Sequence, residues 1–207
     1  MKATLIYVHD PMCSWCWGFA PIYSQLLERL PAELEVKRLL GGLAGDTNEP
    51  MPESMRLMLQ QVWHRIEEVI PGVQFNFDFW TRCEPRRSTY PACRAVIAAR
   101  AQGEQYDAIM TGLIQDAYYR QAKNPSENAT LIALAEEIGL SIEPFSRMLV
   151  APETQQQLVD EINQAHSLGI NGFPSLVLQQ ARGNDPIAVN YTQVQPMLDR
   201  IESSLGR

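Results

Sequence analysis

Asp10-Pro11-Met12-Cys13-Ser14-Trp15-Cys16 is the stretch on which the reading of this chain turns. It follows a short apolar run, Thr4 to Val8, that reads as a strand. It opens a stretch in which Phe19, Ile22, Tyr23, Leu26, Leu27 and Leu30 recur at three- and four-residue spacing, the mark of a helix face, and Pro31 ends it. Leu34 to Leu40 reads as a second strand, so the first forty residues form a βαβ unit. A Cys-X-X-Cys placed between a strand and a helix is far more specific than the four-residue pattern by itself.

The spacing has a chemical meaning. Residues three apart share a helix face, so two sulfurs there can close and open a disulfide with little backbone movement. Cys13 falls at the helix N-terminus, where unpaired backbone N–H groups and the helix dipole favour a thiolate, which marks it as the attacking sulfur. Cys16, one turn further in and followed by Trp17 and Phe19, is expected to be more buried and to resolve a mixed disulfide by attacking Cys13. Ser14 and Trp15 bring no cation, so a strongly oxidising potential is not expected.

Two other readings of the pair stand beside this one: inert packing, or half of a zinc site. Zinc needs two further ligands, and Cys83 and Cys93 do not form a second Cys-X-X-Cys, which leaves only His9, His64 and His166. No metal is expected.

Beyond Leu40 the run Gly41, Gly42, Gly45, Pro50 and Pro52 marks a boundary. A mostly helical block follows. Glu53 to Ile70 places Met55, Met58, Leu59, Val62, Ile66, Val69 and Ile70 on one face. Val73, Phe75, Phe77 and Phe79 alternate with polar residues and read as a half-buried extended segment that either pairs or pins the block down. Thr89 offers an N-cap before Tyr90 and Pro91, opening a helix to about Gln102, with further helices at Glu104 to Gln121 and Asn128 to Glu137, the last capped by Gly139. Pro152 to Leu168 is helical, Ser175 to Gln179 and Pro186 to Val189 read as strands around a turn at Arg182 to Asp185, and Gln193 to Leu205 is the last helix.

Gly169-Ile170-Asn171-Gly172-Phe173-Pro174-Ser175 precedes one of those strands, a natural place for a tight or cis turn. If Phe173–Pro174 packs opposite Cys13, the backbone polar groups of Phe173 are free to pair with an extended substrate beside the dithiol.

With 207 residues, 45% apolar and 20% charged, the chain has an ordinary globular composition, and its net charge of −7 without a Lys/Arg stripe argues against nucleic acid as a partner. The apolar start runs straight into His9, Asp10 and Pro11 with no extended h-region, so no signal peptide is read; the expected address is cytoplasmic, with no membrane association. Four cysteines are too few for a disulfide scaffold.

The dithiol, the helical block and the Gly-Phe-Pro-Ser turn together make the chain resemble the DsbA-like branch of the thioredoxin superfamily, closest to its cytosolic FrnE-like members. Asp10, Cys13, Trp15 and Cys16 match the opening motif of that branch, and Phe173 and Pro174 fall at its cis-proline turn. The resemblance implies an α/β, thioredoxin-like fold with a large all-helical insertion, residues 1–45 and 165–207 forming the thioredoxin-like domain and 46–164 the insertion. It implies a thiol-disulfide oxidoreductase or isomerase with Cys13 as nucleophile and Cys16 as resolver, and with Ser14, Trp15, Asp10, Phe173 and Pro174 as substrate-binding and supporting residues. No cofactor is implied beyond glutathione as a co-substrate, and the partner is a disulfide-bearing protein or a small thiol. Ser14 stands where FrnE-like proteins more often carry proline, and no histidine precedes Cys16 as in a DsbA oxidase, so the redox direction stays open. Pro21 resembles the helix-kinking proline of thioredoxin.

Kappa-class glutathione transferases and hydroxychromene carboxylate isomerases share the fold but use serine for the first cysteine. They supply one rival, a glutathione-dependent isomerase or transferase; a chaperone-like binding module is the other. Among the remaining residues, Cys93 near a helix start is expected to be buried and Cys83 lies among Arg82, Arg86 and Arg87, with no disulfide between them. Asp10 has two candidate roles, influencing the thiols or satisfying nearby backbone donors. Trp15 is expected to be exposed and Trp17 buried.

Overall fold

A computed structural model describes residues 3–206; Met1 and Lys2, on which the leader reading partly rests, and Arg207 lie outside the described residues. The chain runs β1 (Thr4–His9), α1 (Ser14–Arg29), β2 (Glu35–Leu40), α2 (Glu53–Val69), α3 (Phe79–Arg82), α4 (Tyr90–Arg100), α5 (Gln105–Tyr119), α6 (Asn128–Glu137), α7 (Ile142–Leu149), α8 (Pro152–Ser167), β3 (Ser175–Gln180), β4 (Gly183–Ile187) and α9 (Gln195–Leu205). The sheet order is β2-β1-β3-β4. β1 pairs in parallel with β2 and antiparallel with β3, so Leu5 lies between Val36 and Leu178.

β1 is an unbroken apolar run because it is buried on both faces. Leu5 and Tyr7 face a cluster with Phe19, Tyr23 and Leu26 of α1 and Met197, Leu198 and Ile201 of α9. Ile6 and Val8 face the other way, onto Leu39, Val177, Ala165 and Ile170. A third, larger cluster centres on the helices between β2 and β3 and is organised by Trp63, which is 1% exposed and stacks on Phe75 with ring centroids 4.8 Å apart. Met12 and Leu40 belong to this third cluster, so the loop carrying the dithiol is wedged between sheet and helices.

One open alternative is decided, and two expectations are corrected. The 73–79 segment keeps its alternation, with Val73, Phe75 and Phe79 buried, but forms no ladder. Its backbone is held instead by the Glu67 carboxylate on the Phe75 N–H (2.7 Å) and the Tyr119 carbonyl on the Asn76 N–H (2.7 Å), while Phe79 already begins α3. It pins the aromatic cluster rather than extending a sheet.

The β3–β4 turn sits at Ala181 and Arg182, and the strand starts at Gly183, whose φ of +135° lets it pair with Gln180. Gly-Asn-Asp-Pro, a turn-like composition, is tolerated as strand because β4 is the sheet edge, where Pro186 need not donate to a neighbour.

α7 was not foreseen, although Ile142, Phe145, Met148 and Leu149 recur at three- and four-residue spacing; it is only eight residues long. On α2, Met58 is 48% exposed, outside the buried face expected for it.

Candidate active site

His9 ends β1, and Asp10 carries the chain from the sheet into α1. The Asp10 side chain is fully buried. Its Oδ1 accepts the Met12 N–H (2.8 Å), and Oδ2 accepts the Leu43 N–H (2.7 Å), the Thr89 hydroxyl (2.7 Å) and the Cys93 thiol (3.5 Å). One carboxylate thus ties the dithiol loop to the loop after β2 and to the start of α4. Burial raises its proton affinity and these donors lower it. The donors occupy both of its oxygens, and its charge also adds to the rise in the Cys16 pKa, so both candidate roles have a basis in the geometry. Thr89 is correspondingly not a side-chain N-cap of α4, because its hydroxyl is spent on Asp10.

Cys13 is the N-cap residue of α1, and its side chain makes no capping bond. Its Sγ instead lies 3.5 Å from the carbonyl oxygen of Phe173, 160 residues away in sequence. The Phe173–Pro174 bond is cis. Cys16 is completely buried, and its pKa is pushed well above the usual thiol value by burial first, then by its hydrogen bond to Cys13 and the charge of Cys13. Both cysteines are thiols.

Cys13, Ser14, Trp15 and Phe173 line a cavity of about 260 Å³ whose opposite wall comes from the helices, with Leu59, Val62, Trp63 and Tyr118, and whose rim includes Arg87 and Asn171. Asp10 and Pro174 do not line it. Pro174 is buried and borders a separate depression with Ile170, Leu176 and Ile187. Trp15 and Trp17 are both half-buried, against the expected split, because each leans on a partner ring: Trp15 on Tyr191 (5.1 Å) and Trp17 on Tyr119 (5.7 Å).

Cys93 is buried, and its pKa is pushed well up by burial and then by Asp10, which makes it a packing residue. For Cys83, burial outweighs the nearby Arg82 and raises the pKa, while its thiol donates to the Ala122 carbonyl (3.1 Å). Among the described residues no group of three or more His, Cys, Asp or Glu side chains is placed to hold a metal.

Sequence reasoning missed two supports. Gly41, read only as part of a boundary, sits against the Phe173 ring, and a Cβ built there would lie 1.9 Å from that ring. Beneath the dithiol, Arg38 and Arg100 both bind Asp107, Arg100 also binds Glu161 (2.6 Å), and Glu161 accepts the Leu40 N–H (2.7 Å). His9 packs against this network, 3.1 Å from Arg38, and its pKa is held well below the usual value by burial, then by Arg38 and Arg100. Two clues pointed there: Arg38 abuts the apolar end of β2, and Arg100 ends an alanine-rich helix.

Comparison with known proteins agrees with this architecture. The family described as the DSBA-like thioredoxin domain matches residues 4–197. A candidate protein disulfide isomerase from Nitrosomonas europaea is 28% identical, with a TM-score of 0.86 over 100% of this chain and 98% of its own. The cytosolic disulfide reductase DsbM from Pseudomonas aeruginosa is 25% identical, with a TM-score of 0.80 over 98% of each chain, and its structure with GSH gives a TM-score of 0.77. The ClpXP adapter protein SpxH of Halalkalibacterium halodurans is 23% identical over 81% of this chain, which spans only 56% of the adapter's length. No described helix is long and apolar enough to cross a membrane. The burial of Cys16 beneath Cys13 and the match over nearly the whole chain lead to one conclusion: the chain belongs to the DSBA-like thioredoxin domain family.

Proposed function

We propose that the chain is a cytoplasmic disulfide reductase and isomerase in which Cys13 is the nucleophile and Cys16 the resolver, acting on small or protein disulfides with glutathione as the reductant. The observation that carries this reading is the asymmetry of the pair: Cys13 opens onto the cavity while Cys16, one turn below, is sealed from it. The likeness to a cytosolic disulfide reductase supports the direction and the compartment.

The Cys13 thiolate attacks one sulfur of a disulfide RS–SR, forming a Cys13–S–SR bond and releasing RS⁻, which takes a proton from water. While Cys13 is free, burial keeps Cys16 protonated, and its hydrogen bond with Cys13 and the charge of Cys13 add to that. Once Cys13 is tied to substrate the latter two causes vanish, so Cys16 ionises more easily when its thiolate is needed. It attacks the Cys13 sulfur and releases the second RS⁻; two electrons have passed from the dithiol to the substrate. Two glutathione thiols then reduce the Cys13–Cys16 disulfide, giving glutathione disulfide. Stopping after the first step and passing the Cys13 bond to another substrate thiol is isomerisation. The carbonyl of Phe173, which accepts the Cys13 thiol at 3.5 Å, has a second lone pair to offer the backbone N–H of an extended substrate.

Insulin reduction with glutathione tests the reading. Cys13→Ser should fall to background, and Cys16→Ser should accumulate a mixed disulfide detectable by mass. Full activity in Cys13→Ser overturns the proposal. Full glutathione-dependent turnover in Cys16→Ser points instead to a transferase-type enzyme, and substrate protection by both variants without exchange points to a binding module.

A further inference from the structure

The cavity beside Cys13 carries one charged side chain, Arg87, in a wall that is otherwise apolar or neutral. Among the described residues Arg87 forms no ion pair and no side-chain hydrogen bond. Its neighbour in sequence behaves differently: Arg86 spends its guanidinium on the Ser126 carbonyl at 2.8 Å. Other arginines around the cavity's supports are likewise committed, Arg94 to Asp46 and Arg100 to Asp107 and Glu161. Arg87 is only half-buried, and it acts electrostatically on Tyr118 of the helical wall, easing the rise that burial imposes on that phenol.

A guanidinium left unpaired in a groove of an acidic protein offers a fork that fits a carboxylate. At about 260 Å³ the cavity lies just below the range of ordinary small-molecule sites, roughly 300–1,000 Å³, which suits a short thiol rather than a bulky one.

We propose that Arg87 is a specificity residue that selects small disulfides carrying a carboxylate, seating the anionic end on its guanidinium while the sulfur faces Cys13. The idea rests on the exchange reaction proposed above and adds to it the charge class of the substrate. Arg87 takes no part in bond making; it raises the fraction of encounters in which the disulfide is held over Cys13.

Three disulfides of similar size and different charge test it: 3,3′-dithiodipropionate (anionic), hydroxyethyl disulfide (neutral) and cystamine (cationic), each with wild type, Arg87→Gln and Arg87→Glu. Because every preference is compared between protein variants, differences in leaving-group chemistry among the three compounds cancel, as does any general loss of folded protein. The ratio of kcat/KM for the anionic over the neutral disulfide should fall about tenfold in Arg87→Gln, mostly through KM, the size expected for one charge-assisted contact. In Arg87→Glu the preference should shift toward cystamine.

Affinity for S-methylglutathione, which cannot exchange, should weaken about tenfold in Arg87→Gln by calorimetric titration. Ratios that agree within about twofold across the three proteins, or equal affinities for S-methylglutathione, overturn the assignment of Arg87. If wild type turns over none of the three disulfides, the exchange reading itself fails, while the titration still decides whether Arg87 holds a carboxylate.

Discussion

At the scale of single residues, the placement of the Phe173 carbonyl against Cys13 depends on a side chain that is absent. Gly41 leaves room for the Phe173 ring, and its own N–H is fixed by the His9 carbonyl at 2.7 Å, so the backbone there has little freedom to retreat. Gly41→Ala therefore has to displace the ring, and Phe173 with it. We expect a loss of roughly 1–3 kcal/mol in urea unfolding, as for other overpacked sites, together with a fall in kcat/KM for disulfide exchange. Normal exchange kinetics in this variant would show that the position of Phe173 is not critical. Cys13, Cys16 and Phe173 were legible because each sits at a junction between elements that the hydrophobic pattern already marks. The roles of Gly41, Thr89 and Arg87 were not, since they come from partners far away in sequence, Phe173 for Gly41, Asp10 for Thr89 and Cys13 for Arg87, which no local pattern encodes.

At the scale of elements, β2 is joined to α4, α5 and α8 through Arg38, Arg100, Asp107 and Glu161, with His9 at the end of β1 against them. Burial first, and then the guanidinium groups of Arg38 and Arg100, keep the native imidazole neutral. In the unfolded chain a histidine titrates near about 6.5, so below that pH the unfolded state binds one more proton than the native state, and stability falls with pH by up to about 1.4 kcal/mol per unit until the lower native pKa is reached. Unfolding free energies of wild type and His9→Gln should differ by a constant amount above about pH 7, and the wild type should lose ground to the variant as pH falls from about 6.5 toward 5. A difference independent of pH would mean that native His9 takes up its proton as readily as it does in the unfolded chain. The elements themselves were largely readable, since β1, α1, α2, α4 to α6 and α8 follow periodic apolar patterns. The 73–79 segment was left open between pairing and pinning, and β4 was misplaced, for complementary reasons. In one, period-two burial served a ring cluster; in the other, turn-forming residues occupied an exposed sheet edge.

At the scale of the whole molecule, the aromatic cluster around Trp63 faces the dithiol across the cavity, and Met12 and Leu40 join it to the sheet. Trp63, on α2, touches rings from α3, α5 and the 73–79 segment. Trp63→Ala should cost about 3–5 kcal/mol. Because Tyr191 packs against both the helical cluster and the cluster of α1, α9 and the sheet, unfolding should remain a single transition by both far-ultraviolet circular dichroism and near-ultraviolet signals; two separated transitions would mean that the helices unfold independently of the sheet.

The crossover that places β3 beside β1 also sets an order in time. Cys13 leaves the ribosome 160 residues before Phe173, an interval on the order of ten seconds at ordinary elongation rates. Throughout that interval β1 has only its parallel neighbour, and the reactive sulfur has no carbonyl beside it. The redox centre is thus completed only when the last fifth of the chain arrives, so a prematurely ended polypeptide carries the dithiol without the surface that would present a substrate to it.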